Sequence, residues 1–126
     1  MKGKLKQYDY SNFSRAKASA IKHYNRMIEW VTRTQPLDGF PDKDLMEKEL
    51  HENWTAHYCS FCHFSFQRFH RIAIHENVCE FCPIGKVSGS GSCYFTPWYD
   101  LDRADTWQTW LEHAKAEVAF LETLRG

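Results

Sequence analysis

The sequence predicts an α-rich α+β domain, in which amphipathic helices pack together and carry a zinc-ribbon-like or treble-clef-like insert stapled by one metal. Three observations lead to this fold class. Apolar residues recur at helical spacing in both the N-terminal and the C-terminal part of the chain. Two Cys-x2-Cys pairs lie between those parts, and Phe64 and Phe66 alternate there as in a strand. We therefore expect one domain over residues 1–126, with a helical part at 1–57, a cysteine-rich insert at 58–99 and a C-terminal helix at 100–126.

Length and composition are those of a single folded core. The chain has 126 residues, of which 43% are hydrophobic and 16% aromatic, and this excludes a disordered tail or a low-complexity linker. No stretch approaches the roughly 20 continuous apolar residues of a membrane span, and the first ten residues lack the apolar run of a signal peptide. We expect a cytoplasmic protein, whose five cysteines then favour metal ligation over disulfides.

Two helices are expected in the first half of the chain. The first begins at a cap formed by Ser11 or Ser14 and ends near Thr34, before Pro36. The second begins near Asp42. The apolar faces are Ala20, Tyr24, Met27, Ile28 and Val31 in the first helix, and Leu45, Met46, Leu50 and Trp54 in the second.

A third helix is the strongest pattern in the chain. It should begin after Asp102 or Asp105 as its N-cap and continue for about five turns. An apolar stripe of this kind is typical of a core face, so its tryptophans should pack against the first helix. The stripe consists of Trp107, Trp110, Leu111, Ala114, Val118, Leu121 and Leu124.

The cysteines of the insert have the spacing of a structural zinc site. Two residues between thiolates let a tight turn direct both sulfurs at one ion, and a second such pair completes a tetrahedron. Four thiolates around one Zn²⁺ leave a net negative charge, which Arg68, Arg71 or Lys86 could offset from outside the ligand set or at a partner contact. The expected ligands are Cys59, Cys62, Cys79 and Cys82.

The sequence leaves other ligands, and a metal group other than zinc, as alternatives. Cys93 follows a Gly/Ser-rich loop that can turn back, so it could replace any one of the four thiolates. An iron–sulfur cluster is the main alternative to zinc, because the cysteine count suits it and Cys82-Pro83 is similar to cluster-binding runs. The histidines His63, His70 and His75 could also ligate, and with Asn77 the last two could serve a metal-dependent nuclease.

The cysteine block resembles a known group of proteins. The pattern joins Cys59-x2-Cys62, Cys79-x2-Cys82-Pro83, Gly91-x-Cys93 and Thr96-Pro97-Trp98, with Glu52-Asn53-Trp54 before it and Asp105-Thr106-Trp107 after it. It resembles small cysteine-rich proteins of tailed bacteriophages and prophages, and the resemblance covers the chain from about Ala20 to Leu124. The stretch from His63 to Val78 is longer than in that group. The resemblance implies a phage origin and expression in the bacterial cytoplasm, but no known activity.

Charge bears on the class of partner. The chain carries 16 basic and 16 acidic residues, a balance that argues against a protein built to neutralise nucleic-acid phosphates. Residues 1–34 are basic, whereas residues 35–56 and 100–126 are acidic, so the segments can pair within the fold.

These observations favour a non-enzymatic zinc-binding accessory protein that engages or inhibits a host protein complex of defence or transcription. A nucleic-acid-binding zinc-finger protein, which would use Arg68 and Arg71 among the aromatics of the insert, is the alternative, and a metal-dependent enzyme is a third. No catalytic residue is assigned.

Protein purified without added metal should be colourless and contain close to one zinc per chain, measured by elemental analysis. Because zinc binding contributes about 10 to 16 kcal/mol in small zinc peptides, replacing any one of the four expected cysteines with serine should unfold the insert. Brown colour with visible absorption would instead indicate an iron–sulfur cluster, and metal-free protein would contradict both sites.

Overall fold

The computed structural model describes residues 11–55 and 97–124. Every element in these two ranges is a helix, and none of these helices is long and apolar enough to cross a membrane. The helices are α1 (Phe13–Thr34), α2 (Lys43–Leu50), α3 (Pro97–Asp102) and α4 (Trp107–Thr123).

Helix α1 begins at an asparagine cap and buries one face along its whole length. The side chain of Asn12 accepts a hydrogen bond from the Arg15 N–H (2.9 Å), so the cap lies between the two serines that the sequence suggested. The helix ends at Thr34 as expected, and Pro36 follows two residues later. Its buried residues are Ala16, Ser19, Ala20, His23, Tyr24, Met27, Trp30 and Val31.

Helix α2 has the predicted start. Asp42 caps it by accepting a hydrogen bond from the Leu45 N–H (3.0 Å), and Met46 is buried. His51 ends the helix in the left-handed conformation (φ 64°), which turns the chain away from the helix axis. Trp54 therefore lies outside α2, yet it is buried in the core.

The C-terminal region forms two helices instead of one. Pro97 opens the short α3, and Thr106, not Asp102 or Asp105, caps α4 by accepting a hydrogen bond from the Thr109 N–H (3.1 Å). The predicted stripe on α4 is buried except for Val118, which is partly exposed, and Leu124 lies one residue beyond the helix.

Helix α4 packs antiparallel to α1, and groups from the first half of the chain satisfy both of its ends. At the N-terminus the backbone N–H groups of Trp107 and Gln108 donate to the carbonyls of Gly39 (2.8 Å) and Leu37 (2.9 Å). At the C-terminus the Lys17 ammonium donates to two backbone carbonyls, of Glu122 (2.9 Å) and Leu124 (3.0 Å). A helix otherwise leaves these groups unsatisfied, and a cation near its C-terminus is favourable.

Four tryptophans form the centre of the core. Trp107 stands edge-on to Trp30, Trp54 and Trp110, at centroid distances of 5.9, 6.1 and 5.5 Å. Trp54 also contacts Trp110, at 5.3 Å. Such edge-to-face pairs add to the free energy of burial, and the Trp30 contact confirms that the α4 tryptophans pack against the first helix.

The predicted α+β fold class is wrong for the described part of the chain. Residues 11–55 and 97–124 contain helices and no strand. The strand prediction rested on Phe64 and Phe66 and on the zinc-ribbon-like insert, and most of residues 58–99 lie outside the described ranges. Two alternating residues are also too few to specify a strand, whose usual length is about five or six residues.

Replacing Trp110 with alanine should lower the free energy of unfolding by about 3 kcal/mol, the lower end of the usual range for a buried aromatic residue. The ring is fully buried, but its Nε1–H has no hydrogen-bond partner among the described residues, so the truncation also removes an unsatisfied donor. Trp110→Phe, the matched control, should cost less than about 1.5 kcal/mol because it removes the N–H and keeps an aromatic ring. Urea unfolding measures both values, and a wild-type midpoint for the alanine variant would contradict a core position.

Candidate functional site

The metal site predicted from the sequence lies outside the described residues. All five cysteines fall in residues 56–96, as do the three candidate histidines and the three nearby bases Arg68, Arg71 and Lys86. Within residues 11–55 and 97–124, no group of three or more His, Cys, Asp or Glu side chains is placed to hold a metal ion. The zinc and iron–sulfur alternatives therefore both stay predictions.

The two chain segments that flank this region are joined. The indole Nε1–H of Trp98, at the start of α3, donates to the backbone carbonyl of Trp54 (2.7 Å). The Trp54 Nε1–H in turn donates to the Asp102 carboxylate (3.2 Å) at the end of α3. The chain thus leaves the described helices and returns to them at neighbouring points, which is the connection that an insert between them requires.

A buried ionic cluster joins α1 to the segment after α2. The Glu52 carboxylate is fully buried and accepts a hydrogen bond from the Arg26 guanidinium (2.9 Å), while its other oxygen lies 2.5 Å from His23 Nδ1. A carboxylate that holds an imidazole by Nδ1 fixes the orientation of the ring, as it does for metal-binding and proton-transferring histidines. Among the described residues, no third side chain is placed to complete a metal site with this pair.

A second buried carboxyl lies on α4. Glu117 is 2% exposed, and within residues 11–55 and 97–124 neither of its oxygens makes a hydrogen bond of ordinary distance and angle. Burial raises the pKa of Glu117 from 4.5 to about 7, and the nearby backbone N–H of Trp98, which acts on the charge without a well-formed hydrogen bond, offsets part of that rise. The charged form is therefore costly near neutral pH.

The loop between α1 and α2 holds a large aromatic side chain in solvent. Phe40 is 75% exposed and Leu37 is 51% exposed. The loop itself is fixed, because its carbonyls cap α4 and the Gly39 N–H donates to the Pro36 carbonyl (3.0 Å). A Cβ on Gly39 would lie 3.1 Å from that carbonyl oxygen and 3.3 Å from Trp107 Cδ1, so a larger residue would have to displace the loop or the Trp107 ring by a few tenths of an ångström.

An open groove of about 560 Å³ begins at Phe40. Its described lining combines apolar and aromatic side chains with acidic ones, and Lys43 is the basic residue among them. Asp102 bonds Trp54 and lies 3.5 Å from the Lys43 ammonium, which itself stands 5.3 Å from the centre of the Trp54 ring. The groove is lined by Phe40, Pro41, Asp42, Lys43, Asp44, Trp54, Asp102 and Ala104.

Sequence reasoning missed the groove, the ionic cluster and Glu117. Pro36-Leu37 and Phe40-Pro41 did offer a signal, since two large apolar residues in a Pro/Gly/Asp loop are unusual. His23 and Glu117 occupy positions of the buried stripes on α1 and α4, so helical periodicity could have placed both in the core. The pairing of His23 with Glu52 has no local signal.

Comparisons with protein-family models, with curated proteins and with solved structures find no significant match to this chain.

Glu117→Gln should change the pH dependence of stability. A carboxyl whose pKa is higher in the folded than in the unfolded state stabilises the folded state at pH values below its unfolded pKa. The contribution of Glu117 to the free energy of unfolding should therefore fall as the pH rises from 4.5 to about 7 and stay level above that pH. The difference between these two pKa values corresponds to about 3 kcal/mol of unfolding free energy. From pH 4 to pH 8, the unfolding free energy of the variant should therefore rise by about 3 kcal/mol relative to that of the wild type. Urea unfolding at both pH values measures it, and a difference independent of pH would contradict the raised pKa.

Proposed function

We propose that this chain is a non-enzymatic, zinc-stapled binding module that attaches to another protein through the surface of its α1–α2 loop. The observation that carries the proposal is Phe40, which is 75% exposed on a loop fixed at both Leu37 and Gly39 to the first turn of α4. An aromatic side chain held in solvent contributes nothing to the core, but it is the type of residue that dominates the binding energy of protein interfaces.

The fixed loop supports binding because little order would be lost on association. Ordering a flexible interface segment consumes part of the binding free energy, and here the hydrogen bonds to Trp107 and Gln108 already hold the backbone around Phe40. Leu37 adds a second exposed apolar side chain on the same loop. Phe40 would thus be the main contact residue of the interface, and Leu37 would add a second apolar contact beside it.

The charges near Phe40 favour a protein over a nucleic acid. Asp42, Asp44 and Asp102 line the groove and would repel phosphates. On α1, Arg26 pairs with the Glu52 carboxylate and Lys17 caps the C-terminus of α4, so two of the basic side chains on that helix already serve the fold. This supports protein binding over the alternative of a nucleic-acid-binding zinc finger.

The metal and the biological setting come from the sequence. The two Cys-x2-Cys pairs support a zinc-bound insert. The hydrogen bond from Trp98 to the Trp54 carbonyl joins the two chain segments between which such an insert would lie. The resemblance to small cysteine-rich phage proteins supports action in the bacterial cytoplasm, where the partner would be a host complex of defence or transcription.

Phe40→Ser should reduce the capture of a partner from bacterial lysate by about tenfold or more and leave unfolding unchanged within about 0.5 kcal/mol, because an exposed anchor contributes to binding and not to folding. Immobilised full-length protein and quantitative mass spectrometry of the captured proteins measure the loss.

The matched control is Phe40→Ser combined with Ala119→Phe, which restores an exposed aromatic residue on the solvent face of α4. Capture that depends on the Phe40 surface should stay lost in this double variant. Equal capture by Phe40→Ser and the wild type, or recovery of capture in the double variant, would contradict the proposal.

A further inference from the structure

We infer that the groove beside Phe40 binds a cationic segment of the partner protein, in which an apolar side chain is flanked by arginines or lysines. The inference rests on the proposed function and adds the chemistry of the partner to it. The juxtaposition that supports it is an exposed aromatic residue next to a groove with three carboxylates and one ammonium group.

Within the described residues, two of the three groove carboxylates have no basic partner. Asp42 and Asp44 are exposed, and neither is within ion-pair distance of a base in the described part of the chain. Of the nearby bases, Lys43 lies beside the third groove carboxylate, Asp102, and the Arg103 guanidinium stands 4.4 Å from the centre of the Tyr99 ring. Basic side chains of a partner would find two exposed carboxylates there with which to pair.

Further carboxylates border the same region. Asp38 and Asp105 are exposed, and each lies within two residues of the backbone hydrogen bond from Trp107 to Gly39. The acidic rim thus extends from the groove along the junction of the loop with α4. An excess of carboxylates over basic groups attracts a positively charged segment and repels acidic partners.

The floor of the groove suits a cation with a long apolar stem. Lys43 already illustrates this contact, because its ammonium stands 5.3 Å from the centre of the Trp54 ring while Asp102 neutralises it. A partner arginine beside the exposed Asp42 or Asp44 would form two parallel hydrogen bonds with the carboxylate. An apolar neighbour in the partner segment would then cover Phe40.

The test uses three labelled synthetic peptides and fluorescence anisotropy with the full-length protein. The first probe has a leucine flanked by arginines, the second has glutamates in place of the arginines, and the third has serine in place of the leucine. We expect the first to bind, the second not to bind, and the third to bind at least threefold more weakly than the first.

The variant is Asp42→Asn with Asp44→Asn, which removes two charges and keeps a side chain able to cap α2. Affinity for the first peptide should fall about three- to tenfold at 0.1 M salt, and the loss should shrink at 1 M salt because the Debye length falls from about 10 to 3 Å. The matched control is Glu112→Gln with Glu122→Gln, which removes two exposed charges of α4 outside the groove and should bind like the wild type.

Equal binding of the first two peptides, or no effect of the Asp42/Asp44 variant, would overturn the cationic partner. If Phe40→Ser still abolishes lysate capture in that case, the proposed function stands and only its partner chemistry is wrong. Self-association of the wild type that is lost in Phe40→Ser would assign the surface to a second copy of the chain and would also overturn the inference.

Discussion

The rest of the structure depends on how the two ends of α4 are satisfied. The first two N–H groups of this helix donate to carbonyls of the α1–α2 loop, and its last carbonyls accept from Lys17 on α1. These bonds fix the antiparallel register of α1 and α4 and place Trp107 against the other core tryptophans. Because the partners come from opposite halves of the sequence, neither half can form this arrangement alone.

The same bonds connect the core to the proposed binding surface. The loop that caps α4 is also the loop that carries Phe40, so core packing holds the exposed ring in place. Trp54 serves both regions, since it packs on the α4 tryptophans and forms part of the groove wall. Its carbonyl also receives the Trp98 hydrogen bond at the base of the predicted insert. Trp54 is therefore part of the core, of the proposed binding surface and of the junction at the base of the predicted insert.

Helical periodicity predicted α1, α2 and α4 well, because local apolar spacing alone decides which face of a helix is buried. It predicted one helix where α3 and α4 form, although Pro97 at a first helical position was an available signal. The predicted α+β class was wrong for the described residues, which form helices and no strand, whereas Phe64 and Phe66 lie outside them. The His23–Glu52 cluster could not be predicted, since it depends on a contact between segments far apart in the chain. The exposure of Phe40 had a signal in the apolar residues of its Pro/Gly/Asp loop, but the position of that loop against α4 depends on long-range hydrogen bonds.

The central claim is that the core holds the Phe40 loop rigid, and amide hydrogen exchange at single-residue resolution tests it most directly. The amides of Trp107 and Gln108 should exchange only with global unfolding, because both donate to the loop. Lys43 and Asp44 occupy the equivalent first two positions of α2, and in the described part of the chain their amides have no such bond to another segment, so they should exchange much faster. Rapid exchange of all four amides would contradict the account.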